Sequence, residues 1–265
     1  MDLGLKGKLA LVTASSRGLG YASARALALE GADVILSSRN PSNLREAAEK
    51  LRREMGGGVN VYYHLVDLTS KESIDELFDW IKREYGRLDI LVYSTGGPRP
   101  GKFMEMEWED WVEATRLLSL SATWVARRAA ELMIPNRWGR MVFIASVAIR
   151  EPWPDLALSN VMRLPIAGIV RMLSKELGPY GITVNGVMPS IILTDRVLEI
   201  ARRRARNQGK TVEEVLGEMA EKIPLKRLGR PEELGWTIAF LASEKAGFIN
   251  GAMIPVDGGF LNSVF

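Results

Sequence analysis

Thr13-Ala14-Ser15-Ser16-Arg17-Gly18-Leu19-Gly20 decides how this chain is read. The apolar run Leu9-Ala10-Leu11-Val12 precedes it, and a helical pattern over 21–30 follows at once. Strand, glycine turn and helix form the context in which a dinucleotide pyrophosphate sits on helix N–H groups. Gly18 and Gly20 lack a Cβ, so the backbone can approach a cofactor and the helix can pack on the sheet. The spacing is G-x-x-x-G-x-G rather than G-x-G-x-x-G, with Ala14 in the first glycine place. By itself the octapeptide is also compatible with an ordinary strand-to-helix turn.

Outward from that turn the same alternation runs through the chain. Apolar runs at 9–13, 33–38, 59–66, 90–93, 141–145, 183–188 and 253–256 read as strands. Helical patterns at 21–30, 41–55, 71–85, 108–134, 155–178 and 231–242 lie between them. Near-continuous apolar strands separated by helices predict a parallel sheet covered on both faces. The 265 residues suit one large α/β domain or two small ones, and no linker, repeat or low-complexity stretch divides them. One irregular insertion, 194–223, is rich in Arg and Glu and follows the sixth strand. Ligands of open α/β sheets bind beyond the carboxyl ends of the strands, so a helical insertion there is expected to act as a lid. Its Arg202-Arg203-Arg204 run reads first as a solvated helix face.

Composition removes several function classes. With no cysteine and a single histidine, neither a disulfide framework nor a cysteine or multi-histidine metal site can be built. His64 lies within a strand pattern and is assigned a structural role. The net charge of +3 is spread along the chain, which is no case for a nucleic-acid partner. No apolar stretch approaches a membrane span, and Met1-Asp2-Leu3 begins no signal peptide, so a cytoplasmic protein is expected.

The alternation, the glycine turn and the tail together resemble the short-chain dehydrogenase/reductase family, nearest to its β-ketoacyl-carrier-protein reductase-like members. The most specific parts are Pro179-Tyr180-Gly181-Ile182-Thr183-Val184-Asn185-Gly186-Val187-Met188-Pro189 and the stretch from Ile223-Pro224-Leu225, through Gly229-Arg230-Pro231-Glu232-Glu233, to Pro255-Val256-Asp257-Gly258-Gly259. The resemblance covers essentially the whole chain. It implies one Rossmann domain with a doubly wound, seven-stranded parallel sheet, a nicotinamide cofactor, a small-molecule substrate and a homotetramer. Apolar residues Val161, Leu164, Ile169, Met172 and Leu173, which nearly encircle one helical pattern, agree with subunit contacts.

The resemblance places the cofactor on Thr13, Ser15, Ser16, Arg17, Gly18, Leu19 and Gly20, on Ser38 and Arg39, on Asp67 and Leu68, on Ser94 and Gly96, and on Pro189 and Thr194. Asp67 could equally cap the helix that starts near Ser70. The second strand ends Ser37-Ser38-Arg39, where NAD-binding relatives place an acid for the ribose hydroxyls. A carboxylate would repel a 2′-phosphate, whereas Arg39 can pair with it and Arg17 can approach from the other side. NADP is therefore expected over NAD, with a solvated Arg39 as the alternative.

The catalytic half departs from the family. Ser146 matches the family serine, but Ser159 and Arg163 stand where Tyr-x-x-x-Lys is required. No tyrosine lies between Tyr93 and Tyr180, so no shift of alignment restores the motif. The family's Asn-Asn-Ala-Gly reads Tyr93-Ser94-Thr95-Gly96, and the asparagine of the fourth helix becomes Ser119. A phenol near pKa ~10 can be brought lower by a neighbouring cation, but a serine hydroxyl cannot be brought into range. Losing a general acid removes about 10²–10⁴ in rate. Tyr93 is the other candidate acid, though the last residue of a strand is expected to pack. Three readings remain: an NADP-dependent oxidoreductase with an altered proton donor, a cofactor-binding sensor or partner subunit, and non-redox chemistry on the same scaffold. The halohydrin dehalogenases represent the last, but they keep the tyrosine and lose the nucleotide glycines.

Overall fold

All seven expected strands form and join in one parallel sheet of order β3-β2-β1-β4-β5-β6-β7. They are β1 (Leu9–Val12), β2 (Asp33–Ser38), β3 (Val61–Leu65), β4 (Ile90–Tyr93), β5 (Gly139–Ile144), β6 (Ile182–Pro189) and β7 (Met253–Val256). The structure is a computed structural model that describes residues 2–263. In β1 the period of two is plain. Leu9 and Leu11 enter one core, and Ala10 and Val12 enter the other.

Helices α1 (Gly18–Leu29) and α2 (Pro41–Met55) cover one face of the sheet, while α3 (Lys71–Tyr85) covers the opposite one. Strand order reverses between β1 and β4, which pair at Ala10–Ile90 through Val12–Val92. The connections from these two strands leave in opposite directions, so a crevice opens at their carboxyl ends.

The helical pattern expected over 108–134 is interrupted. It contains α4 (Trp108–Ala114), a π-helical turn (Thr115–Leu120) and α5 (Ser121–Met133). Around the turn, Thr115 Oγ1 donates to the Trp111 carbonyl (2.7 Å) and Ser119 Oγ to the Met162 carbonyl (2.8 Å). Such hydroxyls compete with the regular ladder, and π turns concentrate at functional sites. The pattern expected over 155–178 also divides, into α6 (Ala157–Met162) and α7 (Leu164–Glu176). Pro165 carries no N–H to continue the first helix, and its ring restarts the second.

The insertion at 194–223 forms α8 (Asp195–Gln208) and α9 (Val212–Glu221), which share a small core of Ile191, Ala201, Ala205, Val215, Met219 and Ile223. Helix α10 (Pro231–Leu241) then packs on α1. Val161, Leu164 and Met172 stay exposed on α6 and α7, while Ile169 and Leu173 pack against the core. No helix among the described residues is long and apolar enough to cross a membrane.

Candidate functional site

The crevice is braced from below by short polar side chains. Thr13 Oγ1 donates to the Ser94 carbonyl at 2.6 Å, and the Ser94 N–H returns a bond to Thr13 Oγ1 at 2.8 Å. Ser15 Oγ donates to the Val12 carbonyl (2.7 Å) and accepts the Ser37 N–H (2.9 Å). Thr13, Ser15 and Ser94 are buried, so their side chains shape the loop from within. Ala14 is held at φ 47°, in the left-handed region where a glycine would be unstrained.

At Gly20 an added Cβ would lie 2.4 Å from the Ala14 carbonyl oxygen, so only glycine fits there. Gly18 has φ 60°, and its missing Cβ points to the Thr194 methyl 3.9 Å away. The glycine turn thus meets the segment that follows buried Pro189 of β6. Arg17 is the N-cap of α1 and supplies no side-chain acceptor. Among the described residues, the N–H groups of Ser16, Arg17, Gly18 and Leu19 have no protein acceptor. Unpaired N–H groups at the positive end of a helix, under a cradle that a Cβ would fill, fit a pyrophosphate.

At the end of β2, Ser38 is buried and the next residue, Arg39, is exposed, with no acid at either position. Neither Arg17 nor Arg39 forms a salt bridge among the described residues. Asp67 does not cap the next helix. Its Oδ1 accepts the Thr69 N–H (2.9 Å) and Thr69 Oγ1 (2.7 Å), while Ser70 is the N-cap of α3. Burial pushes the Asp67 carboxyl up, but the Thr69 bonds and the Arg39 charge outweigh it and hold it below the usual range. Leu68 is buried in the core beside it. Arg39 and Thr69 also line a cavity of about 510 Å³, together with Trp108 and Val112 of α4 and Arg116 of the π turn. Trp108, Val112 and Arg116 carry no motif, and no short spacing connects them with Arg39.

The residues expected to replace the catalytic pair do meet. One helical turn apart, Arg163 Nε donates to Ser159 Oγ at 3.1 Å. Arg163 Nη2 donates to the Gly96 carbonyl at 3.3 Å. Arg163 is buried and has no carboxylate partner among the described residues, so burial pushes its guanidinium below the ordinary value, with Tyr93 opposing. Ser146 Oγ accepts the Ala148 N–H (3.1 Å), and the short turn that it caps packs against α6. No hydrogen bond joins Ser146 to Ser159 or Arg163. Tyr93 packs, as a strand-terminal aromatic should. It is fully buried, and its hydroxyl meets Ser121 Oγ at 2.6 Å and the Leu117 carbonyl at 3.2 Å. Burial drives that phenol well above its usual value, despite the Ser121 bond and the Arg163 charge, and its hydroxyl is engaged inside the core rather than at the crevice.

Further residues close the far side. Asn160, next to Ser159, holds the Trp153 backbone at both N–H (3.3 Å) and carbonyl (2.7 Å). Trp153 lies against Phe260 with ring centroids 5.5 Å apart, and both pack on the core of α8 and α9. Glu151 Oε1 accepts the Asn262 N–H at 2.5 Å and the Ser263 N–H at 3.2 Å. His64 stacks on Trp80 at 4.8 Å on β3, consistent with a structural role. Of the tryptophans, Trp108 is 76% exposed, while Trp111, Trp124, Trp138 and Trp153 are half-buried.

The profile of the family described as Enoyl-(Acyl carrier protein) reductase matches residues 13–261. The 3-oxoacyl-(acyl-carrier-protein) reductase of Aquifex aeolicus (strain VF5) is 33% identical over 259 residues, covering 98% of this chain and 99% of that protein. An uncharacterized oxidoreductase of Bacillus subtilis (strain 168) is 34% identical and covers 100% of both chains. Among solved structures, L-sorbose reductase of Gluconobacter frateurii, complexed with NADPH and L-sorbose, superimposes with a TM-score of 0.95. It is 32% identical and covers the whole of both chains.

Proposed function

The chain belongs to the short-chain dehydrogenase/reductase family of NAD(P)-dependent oxidoreductases, and from that premise we propose that it uses NADP(H) to interconvert a carbonyl compound and its alcohol with an altered proton donor. The carrying observation is the buried, carboxylate-free Arg163 bonded to Ser159 Oγ. The open N–H groups at the start of α1 receive the pyrophosphate, and Arg17 with Arg39 takes the 2′-phosphate. Ser38, Asp67, Leu68, Gly96, Pro189 and Thr194 border the rest of the cofactor's course. When bound, the nicotinamide supplies the hydride that a carbonyl carbon accepts.

The chain's own residues act on the carbonyl oxygen. Ser146 keeps a free hydroxyl proton, because its oxygen is the acceptor from Ala148. Ser159 is likewise the acceptor from Arg163, so its proton can also face the oxygen. The Arg163 cation stabilises the developing alkoxide at low local dielectric, and water supplies the proton. Helices α8 and α9 close over the bound pair as a lid. The exposed Val161, Leu164 and Met172 are covered by a second copy in a two-fold assembly, as part of a homotetramer.

A second reading is favoured by one observation. Tyr93 is turned into the core with its hydroxyl bonded to Ser121 and Leu117, so it hydrogen-bonds none of Ser146, Ser159 and Arg163. On that reading the chain binds cofactor and does little chemistry. Calorimetry with NADPH and NADH, followed by NADPH oxidation across a ketone panel, tests both. Tighter NADPH binding with turnover supports the oxidoreductase, binding without turnover supports the second reading, and equal affinities remove the NADP assignment.

A further inference from the structure

The guanidinium of Arg163 is buried, yet its donors are only partly engaged. Nε donates to Ser159 Oγ at 3.1 Å and Nη2 to the Gly96 carbonyl at 3.3 Å, and both acceptors are neutral. The remaining nitrogen, Nη1, donates to no protein atom among the described residues and is not sealed from solvent. Arg140, the other buried arginine among them, shows how the fold settles a structural cation. It donates to the Ser243, Gly139 and Gly181 carbonyls, lies 4.5 Å from the Trp138 ring centroid and feels the opposite charge of Glu244. Among the described residues, the one titratable group that bears on Arg163 is the Tyr93 phenol, which is uncharged at neutral pH.

We propose that Arg163 pairs with a carboxylate of the substrate itself, so that this site takes a 2-oxo acid and returns the 2-hydroxy acid. The proposal rests on the oxidoreductase reading above and names its substrate class. Buried charges are ordinarily paired, and a chain that buries a guanidinium without an acid leaves the pairing to a ligand. The planar N–H groups of a guanidinium fit a carboxylate better than any uncharged acceptor. Ser159 then sets where the carbonyl lies. Its oxygen already accepts from Arg163 Nε, so its proton faces an acceptor beside the guanidinium. A carboxylate on Arg163 and a carbonyl oxygen on Ser159 are neighbours, as they are when the carbonyl carbon bears the carboxylate directly. A 3-oxo acid sets the two groups one carbon farther apart, and an uncharged ketone leaves the cation unpaired. In the reduction the carbonyl carbon gains a hydride from NADPH, which leaves as NADP⁺. The π pair passes to the carbonyl oxygen, which takes a proton from water and leaves hydroxide, and the carboxylate is unchanged.

The experiment is calorimetry on the full chain, with and without NADPH, using oxamate, methyl oxamate and malonamate. Oxamate copies a 2-oxo acid but accepts no hydride, methyl oxamate keeps that shape without the charge, and malonamate moves the carboxylate one carbon from the carbonyl. Oxamate should bind the NADPH-loaded wild type about tenfold or more tighter than the other two, the effect of one charge-assisted bond. That comparison needs no variant. Arg163→Met should erase the preference and Arg163→Lys should keep part of it, while NADPH affinity stays within about twofold in both. NADPH oxidation should be faster with 2-oxo acids than with the matching methyl ketones, by about a hundredfold or more in kcat/KM. Reduction of uncharged ketones without any binding of oxamate overturns the 2-oxo acid while the oxidoreductase reading stands. Equal binding of methyl oxamate overturns the carboxylate pairing, and tighter binding of malonamate overturns the proposal in favour of a 3-oxo acid. If the wild type ignores oxamate and Arg163→Met weakens NADPH by about tenfold, the cation serves the cofactor and the proposal falls. Arg163-dependent oxamate binding in a chain that binds no NADPH supports the carboxylate pairing and removes the oxidoreductase reading.

Discussion

Replacing Arg163 by methionine should separate what this residue does for the fold from what it does for chemistry. The side chain is 9% exposed and donates two hydrogen bonds, to Ser159 Oγ and to the Gly96 carbonyl. Bonds from a charged donor contribute about 1.5–3 kcal/mol each. Against them stands the desolvation of a buried cation without a counter-ion, several kcal/mol after relaxation. Burial lowers the folded-state pKa of this base, so the protonated form is the one disfavoured by the fold. That unfavourable contribution is therefore fully present at every pH below the folded pKa, and an arginine side chain is not deprotonated in proteins. Methionine removes the charge and keeps a long apolar stem. Neither former partner becomes a buried orphan, because Gly96 is exposed and Ser159 half-buried. The opposing contributions nearly cancel, and stability should change by less than about 1.5 kcal/mol in urea melts. Turnover should fall by about 10²–10³, the effect of removing one stabiliser of an oxyanion. A loss above about 3 kcal/mol would make Arg163 structural. Unchanged turnover would show that the cation is not used. The double change Ser159→Tyr with Arg163→Lys should impair the native activity by filling substrate space. If it instead raises NADPH-linked carbonyl reduction tenfold or more from an inactive wild type, out of the 10²–10⁴ that a general acid contributes, the binding-only reading is correct.

Three other perturbations follow from the packing. Gly20→Ala sets a Cβ 2.4 Å from the Ala14 carbonyl oxygen, so it should destabilise the fold by about 1–3 kcal/mol and abolish dinucleotide binding. Wild-type affinity in that variant would contradict the cradle. Arg227 hydrogen-bonds Glu233 and, aided by the Arg230 N–H, pulls its carboxyl from 4.5 down to about 2. The stabilisation is present above the unfolded pKa and is lost as pH falls through the folded one, so Glu233→Gln should flatten the acid-unfolding profile between those values. An unchanged profile would mean the ion pair contributes nothing. Glu151→Ala frees Asn262 and Ser263, loosening Phe260 from Trp153 and from the core of α8 and α9. Tryptic cleavage at the exposed Arg202, Arg203 and Arg206 should accelerate about tenfold or more, as three charge-assisted bonds are lost. Cleavage at the wild-type rate would detach the C-terminal segment from the lid.

Sequence alone determined the elements whose causes are local. Strands buried on both faces read as apolar runs, and the glycine turn announced where the first helix begins. Arg39 in place of an acid is a single-residue statement about charge. The missing tyrosine needed only counting back from Asn185, and the packing of Tyr93 followed from its place at a strand end. Tertiary structure decided the rest, because those relations join residues that no short spacing connects. Arg163 reaches Gly96 across 67 residues because β4, which leads to Gly96, pairs with β5, which leads through α6 to Arg163. Thr194 meets Gly18 because β6 and β1 end on the same side of the sheet. The helix over 108–134 is regular by hydrophobic period, but hydroxyls bonding to carbonyls, one of them on Met162, hold a π turn within it. Glu151 holds Asn262 across 111 residues through a carboxylate that looks like any other charged surface group. Hydrophobic period and turn chemistry are properties of neighbours along the chain, whereas a site is made by neighbours in space, and only the packing of the sheet selects those.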